Sequence, residues 1–319
     1  MKKSPIRFQD GIASATQIHE NIPDRVCLTA AQFLDNLRIS HPNWRELRSD
    51  KWAFRGQGDA RWHLVARAFR PETDLAYKGA PVHPPLPAKQ QAELELRALN
   101  HFLFTADRVG LPIPGDNQNL RLPATVVDNH DRRTWPWPLI LEVLAIAQHH
   151  GVPTRLIDFS HNPLVAAFFA AESAAKMTGA NAEASGERYI AVWAVDLNYV
   201  ADGVRAHRRR SERPTVMWVT ASRAANTYLH QQDALFLLDL LADKRKIRPP
   251  RLEDALLEVP RLAKLTKPVD PPILRVLLPA SQSKELLRLL WNEFYHPARL
   301  MPTYDSVANL ANYRRWLDV

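Results

Sequence analysis

The chain has 319 residues, with 42 Lys and Arg against 34 Asp and Glu, a formal net charge of +8 and one cysteine. That length suits one large domain or two modest ones, and 46% apolar residues exclude wholesale disorder. The single Cys27 excludes an internal disulfide, and no CxxC or CxxH spacing offers a thiolate zinc site, so a reduced, cytoplasmic setting is expected.

Twenty-five prolines and ten glycines depart from average usages of ~5% and ~7% in opposite directions. Neither GxGxxG nor GxxxxGK[ST] occurs, which removes support for Rossmann dinucleotide binding and P-loop chemistry. The N-terminal MKKSPIRFQDGIAS is basic but has no apolar run behind it, so no secretory leader is expected. No apolar run approaches the roughly 20 residues of a membrane span, and no membrane partner is expected.

In chain order, a helix is expected over residues 29–39, with Thr29 as N-cap and Phe33, Leu34 and Leu37 at helical spacing. Residues 52–57 (WAFRGQ) read as a short strand, with Gly56 and Gly58 marking its exit. The prolines within 71–87 imply a surface loop, residues 88–109 a long helix, and 111–138 a second proline-rich insertion. Residues 139–150 are apolar almost all round and predict a buried helix, with Gly151 as its C′ residue and Pro153 blocking continuation. A strand over 154–159 leads to Asn162 as N-cap and Pro163 as first residue of a second buried helix, PLVAAFFAAESAA. Further strands are expected over 189–195, 215–219, 234–238 and 273–278, with closing helices over 283–294 and 306–316.

This irregular interleaving predicts an α+β fold, a small mixed or antiparallel sheet flanked by helices with proline-rich loop insertions. Residues 1–44 read as a helical extension and 45–240 as the core. Residues 241–319 supply a strand and helices that complete or cap the same domain.

Arg205, Arg208, Arg209, Arg210 and Arg213 form one basic run, and Lys244, Arg245, Lys246, Arg248 and Arg251 another. Both would suit nucleic-acid phosphates. No stacking aromatics interleave them, however, and solvated loops are the plainer reading.

The densest polar cluster on an apolar framework is Gln148, His149, His150, Arg155, Asp158 and Asn162. A helix C-terminus favours protonated imidazole at His149 or His150, with a simple capping role as the alternative. Arg155 and Asp158, three apart on a strand, would point to opposite faces and meet different partners. Asp158 could equally anchor the following helix. His149, His150, Asp158 and His161 offer metal donors, but adjacent helical histidines diverge by about 100°, so no metal is expected. Arg55, inside an apolar strand, must end at an anion or at a carboxylate such as Asp158 or Asp59. The glycine after it lets a ligand or another backbone come close.

Phe54-Arg55-Gly56-Gln57, then Trp62, Leu64 and Arg67 or Arg70, resembles the opening of the FRG domain, a bacterial and phage family named for that tripeptide. The run from Gln148 to Phe159, continuing through Asn162-Pro163, looks like the family's most characteristic block. Asn226 and Gln231 to Phe236 resemble a weaker third block, with Ala234 where the family usually has Gly. The family's layout is in turn similar to ADP-ribosyltransferases of the arginine-first type. That resemblance implies an ADP-ribosyltransferase-like fold and NAD as substrate. Arg55, Gly56, Gln57, His149, Thr154, Arg155, Ser160 and Asn162 would bind it. Arg55 would hold its phosphates, and Thr154 or Ser160 would take the hydroxyl position. Asp158, His150 and either Gln232 or Asp233 would carry the chemistry. No ExE or QxE motif follows the last core strand, which departs from the transferase pattern. The implied role is a toxin-like or antiphage effector, a transferase or NAD glycohydrolase acting on a protein or nucleic-acid target. A non-catalytic nucleotide- or nucleic-acid-binding module and a metal-dependent nuclease centred on His149, His150 and Asp158 are the alternatives.

Overall fold

A computed structural model describes residues 22–41, 44, 51–76, 79–113, 135–177, 188–220, 231–263 and 272–318. Seven strands form one mixed sheet: β1 (Asp24–Val26), β2 (Trp52–Gln57), β3 (Ile157–Ser160), β4 (Tyr189–Asp196), β5 (Val216–Val219), β6 (Ala234–Asp239) and β7 (Ile273–Pro279). Their spatial order is β1-β7-β4-β2-β3-β6-β5. Only β1 runs parallel to its neighbour, β7; the other ladders are antiparallel. The helices are α1 (Ala30–Leu37), α2 (Ala88–Arg108), α3 (Leu141–His149), α4 (Pro163–Met177), α5 (Leu197–Arg209) and α6 (Leu252–Ala263). Toward the C-terminus follow α7 (Ser283–Asn292), α8 (Pro297–Leu300), α9 (Tyr304–Ala308) and α10 (Leu310–Leu317). The fold is α+β, as the sequence predicts. Most of the 111–138 insertion and Asn226 lie outside the described residues.

The side-chain period of two in a strand explains the layers. On β4, Ile190, Val192 and Ala194 join one apolar cluster with α1, α4 and α7. The intervening Ala191, Trp193 and Val195 join a second with α5 and α6. Covered on both faces, β4 is apolar along almost its whole length. On β6, Leu235 and Leu237 face that second cluster, while Phe236 and Leu238 face a third, built on α2 and α3. Helices α3 and α4 therefore lie on the same side of the sheet, over different halves of it.

Those halves meet at a narrow seam. β2 is registered with β4 along its length, from Trp52↔Asp196 to Gln57↔Ala191, and β3 with β6 from Ile157↔Leu237 to Ser160↔Ala234. Between β2 and β3 only Phe54↔Ser160 is registered.

The strand expected over 154–159 begins only at Ile157. The Thr154 hydroxyl accepts from Leu156 N–H at 3.2 Å, and Arg155 turns inward to ion partners, so neither residue joins the ladder. The helix expected over 283–294 ends at Asn292, and the rest of the C-terminal segment is broken into three shorter helices. Thr29 caps α1 as expected, accepting from Gln32 N–H.

Cys27 sits in the first cluster, 1% exposed, and its thiol is pushed up to about 12, chiefly by burial and against the pull of Arg25. The native protein is therefore expected to resist a thiol-specific reagent at pH 8, releasing one equivalent only on unfolding. Full reaction in the native state would contradict this packing.

Candidate functional site

The seam opens into a cleft of about 290 Å³. Both strands line it with Phe54, Arg55, Gly56, Asp158, Phe159 and Ser160, α4 adds Val165, Ala166 and Phe169, and His149 closes it from α3. The β6 side contributes Gln232, Ala234 and Phe236. A second, polar cavity of about 260 Å³ adjoins it, sharing Arg55, His149 and Asp158 and adding Arg67, Arg70 and Gln148.

Where the β2–β3 ladder stops, Arg55 bridges the gap. One guanidinium nitrogen donates to the Asp158 carbonyl at 2.7 Å and approaches its carboxylate at 3.5 Å. Arg55 Nε is buried and has no hydrogen-bond partner among the described residues. An orphaned donor on a cation at a cleft wall suits an anionic ligand. The expected Arg55–Asp158 contact is present, whereas Asp59 belongs to Arg61.

Asp158 has a second anchor. Gln148 Nε2 donates to its Oδ1 at 2.8 Å, and the Thr154 hydroxyl donates to Gln148 Oε1. That bond fixes the orientation of the Gln148 amide, so its NH2 faces the carboxylate. Arg67 is tied to the Gly151 carbonyl at 3.0 Å and Arg70 to the Val65 carbonyl at 3.1 Å. Burial, then the charge of Arg55 and to a lesser degree Arg67, pulls Arg70 below the ordinary guanidinium value, with Glu72 and Asp158 opposing. A cation destabilised by cations is relieved by a bound anion.

Arg55, Gly56, His149, Asp158, Ser160 and Gln232 thus converge on the cleft, with Gln57 on a neighbouring cavity. Ser160 is partly engaged: its hydroxyl donates to the Gln232 carbonyl at 2.6 Å and accepts from Asn162 N–H at 2.9 Å. Gln232 is anchored to the Leu300 carbonyl at 3.1 Å.

Five of the expected site residues lie elsewhere. Arg155 is fully buried against Glu95 and Asp243, at 2.8 Å from each, away from the cleft. Thr154 is buried behind Gln148. His150 stacks on Phe102 of α2, ring centroids 6.2 Å apart. Asn162 accepts from Leu164 N–H to start α4 and donates to the Tyr295 hydroxyl. Asp233 lies in the left-handed region at φ 46° in the turn before β6, its carbonyl accepting from His161 N–H.

His149 corrects a charge expectation. Burial, then the charge of His150, lowers it from its ordinary value, with Asp158 opposing, the reverse of the direction a helix C-terminus would favour. Gly56, on the cleft wall, has a backbone as its close neighbour. A Cβ there would lie 1.9 Å from the Ala166 carbonyl oxygen of α4.

Arg67, Arg70 and Gln148, the last from the polar cluster and the first two from the motif opening, meet at the polar cavity. In the two basic runs several members are internally paired: Arg205 with Asp202, Arg210 with Glu212, and Arg245 with Asp239 and Glu258.

Among the described residues no group of three or more His, Cys, Asp or Glu could hold a metal ion, and no helix is long and apolar enough to cross a membrane. Residues 50–178 match the FRG domain family, a stretch that contains β2, β3, α2, α3 and α4. No curated protein and no solved structure matches the chain, so the ADP-ribosyltransferase likeness has no counterpart in either comparison.

Proposed function

We propose that this FRG-domain protein binds a nucleotide diphosphate, NAD in the first instance, and breaks its nicotinamide–ribose bond, passing ADP-ribose to an acceptor or to water. The observation that carries the reading is one polar cavity lined by Arg55, Arg67 and Arg70, sharing Asp158 with an apolar cleft. Arginines suit a diphosphate because their planar forks donate to two oxygens at once. Phe159, Phe169 and Phe236 give the adjoining cleft the apolar walls that an uncharged aromatic leaving group prefers.

In this reading Asp158 faces the ribosyl carbon. Its carboxylate, positioned by Gln148 and Arg55, stabilises the positive charge that develops as the C–N bond breaks and its electron pair leaves with nicotinamide. A water or acceptor hydroxyl adds to that carbon, and His149 takes the proton released. No second carboxylate lines the cleft among the described residues, so Asp158 takes the place of the glutamate that transferases usually present. A toxin-like or antiphage role follows from NAD consumption.

One observation favours the non-catalytic reading: the Asp158 carboxylate already has Gln148 and Arg55 as partners. NAD binding, NAD consumption and label transfer, measured together, separate the two. Asp158→Asn is expected to lower turnover by roughly 10²–10³-fold with little change in binding, and Arg55→Gln to weaken binding. Binding without turnover by the wild type would leave a binding module, and no binding at all would remove both.

A further inference from the structure

A third cavity, of about 510 Å³, adjoins the arginine cluster and meets the first cleft at Arg55 and Gly56. It shares Arg55 and Arg70 with the polar cavity and adds Gln57, Arg61, Trp62 and Glu72, among others. Trp62 is 44% exposed, so part of its indole is open at the cavity wall.

The residues around Trp62 are all tied down. Asp59 is buried and accepts from Arg61 N–H at 2.9 Å and from the Arg61 guanidinium at 2.9, 3.1 and 2.5 Å. Trp62 N–H donates to the Asp59 carbonyl at 3.1 Å. On the other side, Gln57 donates to the His63 carbonyl at 3.2 Å while accepting from the Trp193 indole at 2.6 Å. The buried Glu253 carboxylate meets the His63 ring at 2.7 Å and Leu64 N–H at 3.0 Å. A large aromatic face is thus displayed from an immobilised turn, beside cations, in a cavity of ligand size. Rigid display lowers the ordering cost of binding.

We infer that this cavity is the base-binding subsite of the nucleotide ligand: the base stacks on the Trp62 indole while Arg55 and Arg70 hold the phosphates. The inference rests on the nucleotide reading above and deepens it. The three cavities meet at Arg55: one apolar with one carboxylate, one basic, and one aromatic and polar. A molecule with a small aromatic group, a diphosphate and a nucleobase has one part to suit each. Glu72, on the wall of the third cavity, supplies an acceptor for ribose hydroxyls or an exocyclic amine.

The test is equilibrium binding of ADP and of inorganic pyrophosphate to wild type, Trp62→Ala, Trp62→Phe and Arg70→Gln, with circular dichroism melts as the control for folding. Stacking contributes enough per base that Trp62→Ala is expected to lower the ADP-to-pyrophosphate affinity ratio about tenfold or more, with Trp62→Phe keeping most of it. Arg70→Gln is expected to weaken both probes together. An unchanged ratio in Trp62→Ala, with pyrophosphate still bound, would overturn the base subsite and leave the arginine reading standing. An equal loss of both probes in both Trp62 variants would make the side chain structural and also overturn the subsite. Failure of the wild type to bind either probe would overturn both proposals.

Discussion

Arg155→Ala is expected to destabilise the protein by about 3–5 kcal/mol, because it strands a buried carboxylate. The Arg155 side chain is 0% exposed and Glu95 1%. Its guanidinium makes two bonds to Glu95, at 2.8 and 2.9 Å, and one to Asp243. Burial alone would depress its charge, but Glu95 and Asp243 more than reverse that and raise it above the ordinary guanidinium value. Glu95 also accepts from the Trp135 indole at 3.1 Å and from Gln91 at 2.8 Å. The network therefore ties α2, the approach to β3, Trp135 and the turn after β6 to one another. Urea unfolding of Arg155→Ala beside the double change Arg155→Met, Glu95→Leu checks the account. Removing both charges should recover much of the loss, since an apolar pair of similar size has no desolvation cost. A single variant within about 1 kcal/mol of wild type would show that water or another cation reaches Glu95. Loss of activity on changing Arg155 would accordingly report on the fold, even though the residue sits inside the most characteristic motif.

Gly56→Ala is the second large effect, expected at about 1–3 kcal/mol or more. The added methyl would meet the Ala166 oxygen at 1.9 Å and the Ala170 nitrogen at 2.8 Å. Both are backbone atoms of α4, so no rotamer change relieves the clash and strand and helix must separate. Because Gly56 and Ala166 both line the cleft, the same displacement widens the site. Thermal melts should place Gly56→Ala well below wild type, and ligand affinity should fall with it. A variant that melts with the wild type would mean that α4 shifts freely, contrary to its packing on β2.

The two glycines of the β2 motif and the alanines of α4 thus explain each other. Gly58 repeats the relation one turn along, where a Cβ would lie 2.5 Å from Ser173 Oγ and 2.8 Å from the Ala174 nitrogen. Sequence spacing marks Gly56 as a place of close approach, and apolar content marks α4 as buried, but their pairing is a long-range fact. The same limit applies to Arg155 and Asp158. Opposite faces of one strand imply separate partners; the partners are separate, Glu95 and Asp243 for one and Arg55 and Gln148 for the other, but Arg155 lies before the strand begins. Which of the two lines the cleft depends on where α2 packs, about sixty positions earlier in the chain. The local elements read well because capping, proline placement and periodicity are local physics: Thr29, the glycine after α3 and Pro163 all mark helix ends as expected. β1 was not legible, since three residues bounded by a proline and a cysteine carry almost no periodic signal. Its place is set by Asp24 pairing with Arg275 of β7.

That last pairing joins residues 251 positions apart, and it sets a timetable for synthesis. When residues 50–178 have left the ribosome, β2 and β3 have only one registered pair between them. The outer neighbours that hold them, β4 and β6, have yet to appear. Closing such distant segments is slow, and unpaired strands are open to wrong partners meanwhile. A nascent chain that already carries both signature motifs therefore has no cleft until residues 234–239 emerge, and no completed sheet until residues 273–279 follow.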